Sequence, residues 1–341
     1  MRAFIRVDAS VHIGAGHVMR CLTLADALRA EGASCTFVAR ELPRQLADKM
    51  LGQGHGLIRL EEQTGDVADD AAQTVTAIAG EDCDWLIVDS YALDYRWEQR
   101  VRGHARAVLV MDDLADRRHD CDLLVDQNYY ADAQSRYASL VPEGTRCLLG
   151  PGYALLRAQF AGALPRATQM ADRLFVAMGG SDQFDICAQV IELLRRLGAR
   201  APGADIVAGT DTALFARLGR GAEGLENVRV HGFVDDIATL MARCNMAIGA
   251  GGSSTWERCA LGLPALVIVT ADNQRRMSQD LAHAGLIVLL GEAADVSVDS
   301  LGEAVARLRA DAVLRSRLSD GGMRLVDGQG VRRVVQQMLG C

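Results

Sequence analysis

Two glycine-bearing loops, each joining an apolar run to a helical pattern, hold the residues best suited to chemistry. The first reads Arg6-Val7-Asp8-Ala9-Ser10-Val11-His12-Ile13-Gly14-Ala15-Gly16-His17. Gly14 and Gly16 let a ligand approach the backbone, and the first N–H groups of the helix that follows face negative charge. His17 stands where loop becomes helix, and a neutral imidazole there suits a general base near pH 7. From spacing alone, a polar helix-start residue fits equally well. Arg6 and Asp8, at the end of the preceding strand, are expected to border the ligand, with Asp8 and Ser10 also able to fix the loop through side chain to backbone bonds. His12 is expected to be exposed. Asp89-Ser90-Tyr91 ends a further apolar strand, and Tyr91 there can hydrogen-bond a substrate or hold His17.

The second loop runs Ala247-Ile248-Gly249-Ala250-Gly251-Gly252-Ser253-Ser254-Thr255-Trp256-Glu257. An apolar strand enters three glycines, and Ser253 and Ser254 then open a helix. Gly252 gives close approach, while backbone N–H groups and the serine hydroxyls suit phosphate oxygens. No Gly-Lys-Ser/Thr follows, so the loop is not a P-loop. Glu257, one turn on, suits the two hydroxyls of a ribose, although a solvated helix-start carboxylate fits too. Gly179-Gly180-Ser181-Asp182 forms a matching loop, with Gly180 and Ser181 placed to touch the same ligand. The backbone of Phe233 and Val234 can read a base edge, and the amides of Asn273 and Gln274 can grip sugar hydroxyls.

The elements that must position these loops are strands alternating with helices. Apolar runs at Ala3–Val7, Cys35–Ala39, 56–60, 84–89 and Ala107–Met111 are separated by helical patterns at Val18–Leu28, stopped by Gly32, and near 44–51, 68–79 and 94–102. Such alternation implies a parallel sheet covered on both faces. The rhythm breaks between about 113 and 171 and restarts with a strand at Arg173–Ala177, a glycine loop, a helix at Ile186–Leu197 and a strand at 205–208. The expected class is α/β, with two Rossmann-like domains, 1–160 and 172–341, whose parallel sheets face a central cleft. The helical pattern at 329–339 is expected to pack back on the first domain.

Composition narrows the function classes. The chain has 341 residues, 50% hydrophobic and only 5% aromatic, which suits helix-on-sheet packing rather than a β-sandwich. A net charge of −8 without any Lys/Arg block argues against nucleic acid or an anionic membrane as partner. Nine cysteines without a C-x-x-C pair read as buried reduced thiols, and no metal-ligand spacing or cofactor motif stands out. Arg6 and Asp8 interrupt any signal-peptide core, and no apolar run approaches the ~18 residues of a membrane span. A cytoplasmic protein acting on a small molecule is expected, and a monomer is plausible.

The string R-x-D-x-S-x-x-I-G-x-G-H-x-x-R-x-x-x-L-A-x-x-L, filled from Arg6 to Leu28, resembles the start of the UDP-sugar hydrolases of pseudaminic acid biosynthesis. These enzymes release UDP from UDP-2,4-diacetamido-2,4,6-trideoxy-β-L-altropyranose. The resemblance continues through Val88-Asp89-Ser90-Tyr91, Met111-Asp112-Asp113, Asp126-Gln127-Asn128, the segment 149–157, Gly179–Asp182 and Gly251–Glu257. The second half is also similar to the bacterial glycosyltransferase that completes lipid II, which implies the two-domain fold called GT-B. The resemblance implies that His17 activates water, that Tyr91 orients substrate, and that Glu257 and Asn273 contact the UDP-sugar. It implies a metal-independent, inverting hydrolysis with no cofactor. A GT-B glycosyltransferase using a UDP-amino sugar is the alternative, and a nucleotide-sugar sensor or an epimerase stands further off.

Overall fold

The computed structural model describes residues 1–10, 13–61, 66–162, 172–179 and 182–340, so His12, Gly180 and Ser181 lie outside the described residues. Two compact units emerge, one of Met1–Leu155 with Gln329–Cys341 and one of Leu156–Gly328. The change of unit falls at Leu155, ahead of the linker expected at 160–171.

In the first unit the chain runs β1 (Arg2–Val7), α1 (Gly16–Ala30), β2 (Ser34–Ala39), α2 (Arg44–Gly52), β3 (Gly56–Arg59), α3 (Val67–Ile78), β4 (Trp85–Asp89), α4 (Tyr95–Val101), β5 (Ala107–Met111), β6 (Leu123–Asp126), α5 (Ala133–Arg136) and β7 (Arg146–Leu149). The second unit runs β8 (Arg173–Ala177), α6 (Ile186–Leu197), β9 (Gly203–Val207), α7 (Thr212–Gly221), β10 (Val228–His231), α8 (Ile237–Ala242) and β11 (Met246–Ala250). It continues through α9 (Ser254–Ala260), β12 (Ala265–Val269), α10 (Asp272–His283), β13 (Val288–Glu292), α11 (Val298–Ala310) and α12 (Ala312–Leu325). The last helix, α13 (Gly330–Leu339), belongs to the first unit.

Both sheets are parallel, and their strand orders match. The first is β3-β2-β1-β4-β5-β6-β7 and the second β10-β9-β8-β11-β12-β13. Helices cover both faces, which is why central strands such as β4 and β12 are buried along their whole length and read as continuous apolar runs. In each sheet the order reverses once, between β1 and β4 and between β8 and β11. Loops leaving such a pair diverge and open a crevice at the carboxyl ends of the strands. The two glycine loops of the sequence stand at these two points.

Strands β6 and β7 went unread in the sequence. Each has four residues, and β6 follows β5 through a loop rather than a helix, so the alternation that marks a parallel sheet is interrupted there. Helix α13 packs Val334, Val335 and Met338 into the core beside α1. The Trp85 indole donates to the Met338 carbonyl at 3.2 Å, and Arg333 donates to the Gly152 carbonyl at 2.8 Å. The start of the helix lies this close to Ala154 only because residue 330 is glycine: a Cβ there would overlap the Ala154 carbonyl oxygen and sit 2.5 Å from its nitrogen. Gly330→Ala is therefore expected to destabilise the first unit by about 1–3 kcal/mol. Urea unfolding checks this, and an unchanged midpoint would contradict the packing argument.

Candidate active site

The first glycine loop leaves β1 and enters α1 at Gly16. Gly14 has a φ of 79°, a conformation that favours glycine, and its N–H donates to the Ser10 carbonyl at 2.8 Å. This loop delivers His17 to the first turn of α1. The register pairs Val7 of β1 with Asp89, the last residue of β4, so Asp89 lies beside the mouth of the loop. His17 Nδ1 is 2.5 Å from Asp89 Oδ1. Arg20, on the same helix face one turn later, grips both carboxylate oxygens of Asp89 at 2.6 Å and reaches Asp113 at 3.1 Å.

Asp89 is wholly buried, and burial alone would push its carboxyl up. The charge of Arg20, with the hydrogen bonds made by Arg20 and His17, outweighs this and holds it well below the usual carboxylate range. An anion at Asp89 must accept from Nδ1–H, which fixes the imidazole tautomer and leaves Nε2 as a lone-pair acceptor. Among the described residues Nε2 has no hydrogen-bond partner. The ring of Tyr91 stands edge-on to His17, with centroids 4.7 Å apart, and stays 39% exposed. A base held by an orienting carboxylate, beside an accessible phenol, can take a proton from water or an alcohol.

Asp89 and Arg20, the two residues that hold His17, are not singled out by the sequence, although both stand in the quoted strings. Behind them lies a scaffold built from the Asp-rich strings. Arg136 donates to Asp126 at 2.8 Å and covers the Tyr130 ring at 3.4 Å, and the Tyr137 hydroxyl is 3.0 Å from both Asp112 and Asp126.

Arg6 takes a structural place instead of bordering a ligand. It is 2% exposed, donates to Asp70 at 3.0 and 2.6 Å and pairs with Asp8 at 2.7 Å. Asp8 in turn accepts from the backbone N–H groups of Arg40 and Glu41. Asp70 also accepts from the Trp97 indole at 2.9 Å, so this cluster ties β1 to α3 and α4. The expectation that Arg6 meets substrate is corrected by that burial, and Asp8 is committed to the backbone.

In the second unit, β11 passes through Gly251-Gly252-Ser253 into α9. A Cβ at Gly251 would overlap Ser278 Oγ and lie 3.3 Å from Gln274 Cβ, so α10 approaches the turn only because residue 251 is glycine. The amides of 252–254 precede the first helical hydrogen bond and are open to an acceptor. Ser253 is exposed and Ser254 half-buried. The Gln274 side-chain oxygen accepts from Thr270 N and Oγ1, both at 3.1 Å, which turns its amide nitrogen toward Gly252. Asn273 is exposed beside it.

Glu257 Oε1 accepts from Arg157 Nη2 at 3.0 Å, leaving Oε2 for a further donor. Arg157 and Gln159 also hold the Asp235 carbonyl, and Gln159 accepts from Ala238 N at 2.9 Å. The 157–159 segment thus ties Glu257 to the loop that carries Val234 and Phe233, the latter 53% exposed. Gly179 follows β8 with a φ of 91°. The structure therefore groups Gly14, Gly16, His17 and Tyr91 in one unit, and Gly252, Ser253, Ser254 and Gln274 in the other.

A hollow of about 720 Å³ lies elsewhere, lined by Trp85, Arg102, Arg106, Asp122 and Arg146 at the amino ends of the first sheet's strands. Ligands of open parallel sheets bind at the carboxyl ends, so position favours the crevice with His17. Among the described residues, no group of three or more His, Cys, Asp or Glu side chains is arranged for a metal, and the eight cysteines are free thiols. No helix among them is long and apolar enough to cross a membrane.

Two doubly wound parallel sheets, each with a glycine loop at its switch point, define the GT-B class of α/β protein. Residues 174–317 match the glycosyltransferase family 28 C-terminal domain. The chain is 25% identical to the spore coat polysaccharide biosynthesis protein SpsG of Bacillus subtilis, over 98% of this chain and 96% of that one. It is also 25% identical to the UDP-2,4-diacetamido-2,4,6-trideoxy-β-L-altropyranose hydrolase of Campylobacter jejuni, over 84% of this chain and 97% of the relative. The resemblance carried by the His17 string is thus a similarity to this hydrolase along most of the chain. The crystal structure of MurG from Acinetobacter baumannii superposes with a TM-score of 0.70 at 12% identity, covering 100% of this chain and 99% of that one.

Proposed function

We propose that this chain hydrolyses a UDP-sugar at its anomeric carbon, with UDP-2,4-diacetamido-2,4,6-trideoxy-β-L-altropyranose as substrate. The observation that carries the reading is the His17 imidazole, held through Nδ1 by buried Asp89 while Nε2 stays unbonded. Similarity to the Campylobacter hydrolase supports the substrate class. In this reading the turn 251–254 takes the diphosphate, Glu257 Oε2 takes ribose hydroxyls, and Gln274 with Asn273 meets the ligand beside them. Water gives its proton to His17 Nε2 as its oxygen attacks C1. The bond from C1 to the diphosphate oxygen breaks, UDP leaves with the electron pair, and the configuration inverts. Preorganised N–H donors on the leaving diphosphate contribute ~3–4 kcal/mol each in comparable sites. The step calls on no metal ion.

Glu257→Ala is expected to weaken UDP binding roughly 10–100-fold, the usual worth of hydrogen bonds to a charged group. Inorganic pyrophosphate, which lacks the ribose, should bind both forms alike in calorimetry. Equal losses for both ligands would remove the ribose assignment.

The match of residues 174–317 to a glycosyltransferase domain favours a second reading, sugar transfer to an alcohol. The two separate in one assay. Hydrolysis predicts UDP release from the UDP-sugar with no added acceptor, at a rate that alcohols do not raise. Release that begins only when an acceptor is supplied would establish transfer instead.

A further inference from the structure

Arg258, the fifth residue of α9, is 1% exposed, and its guanidinium donates only to neutral acceptors. These are the Ala250 carbonyl at 2.8 Å, Thr255 Oγ1 at 2.9 Å and Ser254 Oγ at 3.1 Å. Among the described residues no carboxylate lies within 4.0 Å of it, and the neighbouring Glu257 pairs with Arg157 instead. Its Nε is buried with no partner. The buried arginines of the first unit differ: Arg6 is matched by Asp70 and Asp8, and Arg20 by Asp89 and Asp113. Burial pulls Arg258 down to about 10, so it stays protonated at neutral pH. A sealed cation without a counter-charge is unfavourable unless something else supplies one.

Its location says where the missing charge belongs. A Cβ at Gly249 would overlap Arg258 Nη1, lie 3.1 Å from Cζ and lie 3.0 Å from the Ala177 carbonyl. The register pairs Gly249 with Ala177 of β8. The guanidinium therefore occupies the space left by a missing side chain at the carboxyl ends of β11 and β8, where the second sheet reverses order. The turn 251–254 lies immediately beyond.

We infer that Arg258 is a positioning residue for the diphosphate, a fixed cation behind the turn 251–254 whose counter-charge arrives with the ligand. The inference rests on the reading of that turn as the diphosphate cradle. Arg258 touches the ligand through its neighbours. Ser254 Oγ accepts from Nη1, so its own O–H is free to donate outward to a phosphate oxygen. The Ala250 carbonyl, held by Nη2, fixes the start of the turn whose amides follow. The low local dielectric strengthens both donors and the attraction of the cation for charge that grows on departing UDP.

Calorimetry with uridine, UMP and UDP tests this on the full chain and on Arg258→Met and Arg258→Lys. Arg258→Met is expected to bind uridine within about twofold of the parent and UDP roughly 10–100-fold more weakly, with UMP between. Its ligand-free melting temperature should equal or exceed the parent's, because an apolar side chain suits an unpaired buried site. Arg258→Lys keeps the charge and loses the fork, so it should recover part of the UDP affinity and show the same ligand order. Should Arg258→Met not fold, a UDP-selective loss in Arg258→Lys carries the claim alone. An equal loss for uridine and UDP, or no loss at all, would overturn the inference and leave the cradle standing. A parent protein that binds no UDP would overturn both.

Discussion

Replacing His17 with alanine is expected to lower kcat by about 10²–10⁴-fold, the usual contribution of a positioned general base, while UDP affinity stays near the parent value. The side chain removed is small and lies at the start of α1. Asp89 keeps both of its bonds to Arg20, so no buried charge is stranded and the fold should persist. In the proposed reading UDP is bound by residues 251–257, and the role of His17 is confined to the chemical step. The kinetic signature follows: kcat falls and the dissociation constant of UDP does not. Unchanged turnover would eliminate the base assignment, and a parallel loss of UDP affinity would make His17 a binding contact.

Asp89→Asn is expected to cost about as much activity, for a different reason. The amide has the shape of the carboxylate but can donate to Nδ1, which would turn the imidazole so that Nε2 carries the proton and can no longer accept one. A comparable tautomer change behind a catalytic histidine in a serine protease lowers kcat roughly 10⁴-fold. The change also leaves Arg20 without its main partner, and breaking a buried pair in this way costs about 3–5 kcal/mol. The pH dependence carries a sign. The folded-state value of Asp89 lies below the unfolded one, so its stabilisation is present above the unfolded-state value of about 3.9 and is lost as pH falls through the folded-state value. Urea unfolding at neutral and acidic pH should therefore show a less stable variant at pH 7 with a shallower decline below pH 4. A variant that keeps full activity would show that Asp89 does not set the tautomer.

How much of this was legible depends on distance along the chain. Gly14, Gly16 and His17 are local to one loop, as are Gly251, Gly252, Ser253, Ser254 and Glu257, and their chemistry can be read from neighbours. Asp89 is 72 residues from His17. Its apolar strand is plain in sequence, but only the strand order, with β4 beside β1, makes it a partner. Arg6 misleads for the matching reason. It sits next to a ligand-type loop, while the residue that claims it, Asp70, comes from a helix 64 positions on. Arg258 is not marked out by its sequence neighbours, and its burial is set by the bare Gly249 on the adjoining strand. The short strands β6 and β7 are hidden because no helix joins β5 to β6 and only the four-residue α5 joins β6 to β7.

The central claim is that water, activated at His17 Nε2, attacks the anomeric carbon. The most direct measurement is turnover of the UDP-sugar in oxygen-18 water without acceptor, followed by NMR of the first product formed. The account predicts one labelled oxygen on C1 of the sugar, the inverted anomer, and unlabelled UDP. Label on the β-phosphate of UDP, or a retained anomer at the earliest time, would contradict it.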